Sequence, residues 1–201
     1  YLDQYTTILN GFSAKIKVSD IEKIRNIRGV EEVNISNEYY RPEPNMNTSN
    51  EQIDSKLAWD SGYAGEKTVL AVIDTGVDPN HKDFVMRDGV ELSYTEEEMN
   101  DLINEEALPG KWYNDKVPYA YNYYDRNNIV YDTGSSQHGM HVGGTMAANG
   151  EVTGVAPDAQ LISMKVFSND IRYDTTFSDI YIKAIDDAIK LGADAVNLSL
   201  G

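Results

Sequence analysis

The stretch Thr68-Val69-Leu70-Ala71-Val72-Ile73 is a continuous β-prone run closed by Asp74-Thr75-Gly76. A strand with no polar alternation must have both faces covered, which is the situation inside a parallel sheet. Residues 161–167 and 195–200 have the same texture. Between them Phe177, Ile180, Ala184, Ile185 and Ala188 recur at helical spacing, and Gly192 follows as a stop. Strand, helix, strand at this spacing predicts a parallel βαβ unit, and so an α/β fold with a parallel sheet.

Such a sheet needs a core, and 201 residues with 41% hydrophobic content supply one. No apolar run approaches the ~18 residues of a membrane-spanning helix. A net charge of -16, from 17 basic and 33 acidic residues, argues against a nucleic-acid partner, because phosphate binding is carried by Lys and Arg. Cysteine is absent, which excludes a disulfide framework, a thiolate zinc site and a thiol nucleophile.

Residues 1–40 read as a separate small α+β unit. Phe12, Ala14, Ile16 and Val18 alternate with polar residues, as in a half-buried strand. Ser19 and Glu22 have capping-box spacing, and Ile21, Ile24 and Ile27 line one helical face before Gly29. Val30, Val33 and Ile35 predict another short strand. A unit this small has to lean on something else. Residues 41–50, polar and containing Pro42 and Pro44, read as a linker, with the main domain over 51–201.

One excursion interrupts the α/β pattern. Thr95 to Glu106 holds six acidic residues and a second capping box, Thr95 with Glu98. This predicts an acidic surface helix with Met99, Leu102 and Ile103 on its inner side. A Tyr-rich stretch follows, including Tyr119, Tyr121 and Tyr123, which either packs the excursion onto the sheet or lines a cleft.

Asp74 stands where an apolar strand ends, and sites in open α/β sheets are built at strand carboxyl ends. An Asp at this point also simply begins turns. Asp-Thr-Gly after a strand marks aspartic proteases as well, although those are all-β chains, against the βαβ pattern here. His138 opens a segment of small residues, Gly139-Met140-His141-Val142-Gly143-Gly144, whose backbone other elements can approach closely. His138 and His141 as a metal pair is disfavoured, because zinc pairs on helices take i, i+4 spacing with an acid between them. His141 reads as structural, and no metal ligand is assigned.

Together these segments resemble a family. Val72-Ile73-Asp74-Thr75-Gly76-Val77-Asp78 with His81-Lys82-Asp83-Phe84 is similar to the catalytic-aspartate segment of subtilisin-like serine proteases. His138-Gly139-Met140-His141-Val142-Gly143-Gly144-Thr145 resembles their catalytic-histidine motif, with Met140 where Thr is usual and Gly143 where Ala is usual. Gly154-Val155-Ala156-Pro157 with Lys165-Val166 resembles their next strand, and Asn197-Leu198-Ser199-Leu200-Gly201 the strand lining the substrate cleft. The segment from Asn10 to Ile16 and the helix after it resemble the later part of the family's propeptide, a folding aid and inhibitor. Lys116 to Tyr123, with Ser135-Ser136-Gln137 before His138, look closest to lactocepin-like cell-envelope proteinases of Gram-positive bacteria.

The resemblance implies a subtilisin-like domain cleaving extended polypeptides through an Asp-His-Ser triad, and a secreted or cell-envelope location. His138 would be the general base and Asp74 its orienting partner. Ser199, Leu200 and Gly201 would bind substrate. The family's Gly-Thr-Ser-Met-Ala-like nucleophile motif and its Ala-Gly-Asn-like oxyanion motif do not occur in these 201 residues. The expectation is therefore a segment that is inactive alone and whose partner is the rest of the catalytic domain. A non-catalytic binding protein retaining the fold is the alternative. No cofactor is assigned: the resemblance allows calcium in the full-length parent, but the Asn149-Gly150 turn is short for the family's calcium loop and no metal is placed there.

Overall fold

A computed structural model describes residues 2–40, 53–134 and 136–200. The linker expected at 41–50 and the terminal Gly201 lie outside the described residues.

The centre is a four-stranded parallel sheet. In chain order its members are β4 (Val69–Asp74), β5 (Tyr119–Asn122), β6 (Gln160–Lys165) and β8 (Ala195–Leu198), arranged β5-β6-β4-β8. The βαβ unit is present: β6 passes through helix α5 (Ser178–Lys190) to β8, and both strands flank β4. An all-β aspartic-protease arrangement is therefore ruled out by the fold. All six residues of β6 are buried, as a strand covered on both faces requires.

Period-2 side-chain geometry divides these strands between two cores. Val69, Ala71 and Ile73 of β4 join Ile162, Met164 and Tyr119 in a core closed by Ala184 and Ala188 of α5 and Met99 of α3 (Glu96–Glu105). Val72, Leu161 and Ala120 face the other way, toward Val77, Phe84 and Ala147 at the end of helix α4 (His138–Ala147). The sheet is thus a middle layer, and its carboxyl edge carries Asp74, Asn122 and Lys165.

The excursion between β4 and β5 follows its sequence. The Thr95 hydroxyl accepts the Glu98 N–H and the Glu98 carboxylate accepts the Thr95 N–H, a complete capping box. The acidic side chains of α3 are largely exposed, and only Met99 is fully inserted. The tyrosines pack the excursion down: Tyr119 and Tyr123 are buried, their hydroxyls 3.1 Å apart, and Tyr123 donates to Asp187 of α5.

The first 40 residues depart from expectation. The strand expected over residues 12–18 shrinks to β2 (Gly11–Phe12), paired with β1 (Gln4–Tyr5). Phe12, Ile16 and Val18 are exposed, because a two-stranded hairpin has no layer for an alternating face to cover. The Ser19–Glu22 capping box does not form. Val18–Asp20 is a 3-10 turn, and the short helix α1 (Ile21–Arg25) starts after Asp20 without a side-chain cap. The strand expected near Val30 to Ile35 lies later, as β3 (Glu38–Tyr40), antiparallel to β7 (Thr175–Phe177). The unit does lean on another element. Tyr5 is buried with its hydroxyl donating to Asp179 O, and Ser36 donates to the Asp179 carboxylate at 2.6 Å, both at the start of α5. Helix α2 (Ser55–Asp60) precedes the sheet, and the Trp59 indole N–H donates to Val155 O.

Candidate active site

Asp74 is the last residue of β4 and His138 the first of α4. Their contact is direct: His138 Nδ1 lies 2.8 Å from Asp74 Oδ1. Both are buried, at 8% and 1% exposure, so the pair is largely withdrawn from water. With Nδ1–H donating to the carboxylate, Nε2 remains as the acceptor on the other side of the ring.

A single turn fixes this geometry. The Thr75 N–H donates to Asp74 Oδ1 at 2.6 Å, and Thr75 Oγ1 accepts the Gly139 N–H at 2.9 Å. A Cβ on Gly139 would lie 2.5 Å from Gly76 O and 2.7 Å from Gly76 N. Glycine at 139 therefore lets the start of the helix rest on the strand-end turn. Gly76 itself takes φ +117°, which other residues rarely adopt.

The approach to His138 is held by Asp132. Its carboxylate accepts the Gly134 N–H and the Ser136 hydroxyl, and Ser136 Oγ accepts the His138 N–H. Gln137 is in the left-handed region at φ 51°, with its side-chain amide donating to Asp132 O. This brings the chain into α4 with the first side chain turned to Asp74.

Burial raises the Asp74 carboxyl above its ordinary pKa, while the bonds from His138 and Thr75 pull it back only in part. Asp74 Oδ2 is buried without a hydrogen-bond partner among the described residues, in keeping with that direction. The arrangement is a carboxylate that orients an imidazole and stabilises the imidazolium it becomes on taking a proton.

The other expected residues fall nearby or elsewhere. Ile73 pairs with Leu198, so Ser199 follows at the level of Asp74 on the neighbouring strand. Its hydroxyl donates to Asn197 Oδ1, and Leu200 packs against the core beneath α5. His141 lies one turn into α4, half-buried, with its carbonyl accepting the Thr145 hydroxyl. Among the described residues no group of three or more His, Asp or Glu side chains is placed to hold a metal ion. In the Asn149–Thr153 turn the Glu151 N–H and the Asn149 N–H both bond Asp83, which ties the turn to the segment after β4.

Sequence reasoning missed Thr75, Asp132 and Lys165 as parts of the site. For Lys165 a signal was present: a lysine inside the apolar run Leu161-Ile162-Ser163-Met164-Lys165-Val166.

Residues 65–201 match the model of the subtilase family, the peptidase S8 group. The chain belongs to the subtilase family. Among curated subtilases, the PI-type proteinase of Lactococcus lactis subsp. cremoris is 41% identical over 99% of this chain and 11% of its own length. The minor extracellular protease Vpr of Bacillus subtilis is 31% identical over 98% of this chain and 23% of itself. A C5a peptidase of Streptococcus pyogenes is 33% identical over 68% of this chain and 12% of itself. This subtilase chain thus spans about a tenth to a quarter of the length of these relatives. No helix among its described residues is long and apolar enough to cross a membrane.

Proposed function

We propose that these residues form the Asp-His half of a serine endopeptidase that cleaves extended polypeptides, with the nucleophilic serine supplied by chain beyond residue 201. The observation that carries this reading is the 2.8 Å contact of His138 Nδ1 with buried Asp74 Oδ1, at the carboxyl edge of a parallel sheet in a subtilase. His138 Nε2 takes the serine proton as the hydroxyl attacks the scissile carbonyl, and returns it to the leaving amine. Asp74 keeps the imidazole in the Nδ1–H tautomer and offsets its positive charge. The backbone of Ser199, Leu200 and Gly201 pairs with the extended substrate beside this pair. Residues 1–40 act as a propeptide-like inhibitor and folding aid docked on α5. One relative is named as an extracellular protease, and all three come from Gram-positive bacteria, which supports a secreted or cell-envelope location in such an organism.

Fluorophosphonate labelling followed by intact mass tests the proposal. The longest natural chain carrying this segment is expected to take up one adduct on a serine beyond residue 201, and residues 1–201 alone none. An adduct within residues 1–201 would overturn the assignment of the nucleophile.

A further inference from the structure

Lys165 ends β6 with no exposed surface. In the register of the sheet it stands opposite Asp74. Hydrophobic packing gives no reason for an ammonium there, and burying one is costly unless its N–H groups are bonded. Its Nζ donates to the carbonyl of Thr75. Its Cδ lies 3.0 Å from where a Cβ on Gly76 would be, so the aliphatic stem runs against the same turn.

Thr75 is itself fully buried, and each of its polar groups is engaged. Its N–H holds Asp74 Oδ1, its Oγ1 holds the Gly139 N–H, and its carbonyl holds Lys165. We infer that Lys165 is a positioning residue for the Asp74–His138 pair, its ammonium pinning the Thr75 carbonyl and so fixing the turn at the end of strand β4 on which the start of helix α4 rests. This rests on the protease reading and deepens it. Without the ammonium, a buried carbonyl loses its charged donor, and the turn is free to rotate toward another one. A displacement of about 1 Å at a site of this kind costs on the order of a hundredfold in rate.

The test uses K165M, K165R and T75V in the longest natural chain carrying this segment, beside wild type. Peptide hydrolysis is measured per active site titrated with fluorophosphonate, and the His138 Nδ1–H resonance is followed by NMR. K165M is expected to lower kcat about tenfold to a hundredfold with KM little changed, and to shift or broaden the Nδ1–H signal. K165R restores most of both. T75V, which keeps the Thr75 carbonyl and removes the Oγ1 contact with Gly139, tests the turn itself and is expected to lower kcat as well. If K165M does not fold, K165Q is read in its place, with the same two outcomes. A K165M chain with lowered thermal stability but wild-type kcat and an unmoved Nδ1–H signal would make Lys165 merely structural and overturn the inference. If wild type neither hydrolyses peptides nor takes the label, the protease reading fails. The Nδ1–H signal of K165M then decides by itself whether Lys165 positions His138.

Discussion

His138 Nδ1 and Asp74 Oδ1 meet at 2.8 Å although the two residues are 64 positions apart in the chain. The contact exists because the Thr75-Gly76 turn accepts the backbone of Gly139. Burial raises the Asp74 carboxyl, and that has a sign. The folded state binds the proton more tightly than the unfolded chain, so this group's contribution to stability falls as pH rises through the ordinary carboxylate range toward the raised folded value. Replacing Asp74 by Asn removes that slope. D74N is therefore expected to unfold no more easily than wild type at pH 7, while peptide hydrolysis by the full chain drops by about 10⁴-fold. Denaturant titrations from pH 4 to 8 beside kcat/KM measure both; a D74N chain that keeps wild-type activity would remove Asp74 from the mechanism.

The close approach at Gly139 leads to a paired prediction. In G139A the new methyl meets backbone atoms of Gly76, which cannot swing aside as a side chain would. Overpacking of this kind costs about 1–3 kcal/mol, and the start of α4 is pushed off the turn. At Gly144, on the same helix, nothing lies within 4 Å of where a methyl would stand. G144A is expected to stabilise by about 0.5–1 kcal/mol through helix propensity alone. Thermal denaturation of the two variants separates the explanations: equal shifts in one direction would mean that Gly139 has no special contact to protect.

Lys116 supplies a prediction about alkaline stability. Its Nζ donates to Pro157 O at 2.7 Å and Ala159 O at 2.5 Å, tying the approach to β5 to the loop before β6. Burial lowers its pKa to about 7, with the negative charge of Asp158 opposing the shift. Between about pH 7 and the ordinary lysine value the unfolded chain binds a proton that the folded chain does not, so this group adds stability as pH rises through that window. K116M lacks the charge and the window. Relative to wild type it is expected to be more destabilised at about pH 9 than at about pH 6. Melting temperatures at the two pH values check this, and a pH-independent difference would mean that Lys116 titrates as an ordinary lysine.

The central sheet is legible from its apolar stretches: in Val69–Asp74 nearly every position is buried and apolar, while in Gln160–Lys165 every position is buried although Gln160, Ser163 and Lys165 are polar. The segment at residues 12–18 misleads for the converse reason. Alternation in Phe12, Ile16 and Val18 promises a buried face only where a layer exists to bury it, and no local pattern reports that layer. The same limit divides the site. Asp74 and His138 stand at a strand end and a helix start, positions with local signatures. Thr75 and Lys165 act through the register of β4 against β6, a relationship between residues 90 positions apart. Ser19 shows how a short signature fails: the spacing to Glu22 is right, but a 3-10 turn through Val18–Asp20 places the helix start one residue later.

Asp186 is one of the points at which the first residues are fastened to the sheet domain. Its Oδ1 accepts the N–H groups of Thr7 at 2.6 Å, Ile8 at 2.8 Å and Thr6 at 3.3 Å, and its other oxygen lies 3.2 Å from Lys190 Nζ. Burial alone would raise this carboxyl, but the Ile8 and Thr7 amides and Lys190 together bring it below the usual range. A carboxylate with a depressed folded pKa contributes its full hold above the ordinary value of about 4 and loses it as pH falls through the folded value. D186A is therefore expected to free the β1–β2 hairpin while leaving β4 intact, and acidification of wild type to do the same. Hydrogen bonds to a charged acceptor contribute about 1.5–3 kcal/mol, so amide exchange at Thr7 and Ile8 should speed up by about tenfold or more in D186A. D186N, which keeps an acceptor oxygen but not the charge, falls between the two. If exchange at Thr7 and Ile8 were the same in all three proteins while Ala71 and Val72 stayed protected, the hairpin would be held by Tyr5 and the β3–β7 pairing, and Asp186 would be a bystander to its docking.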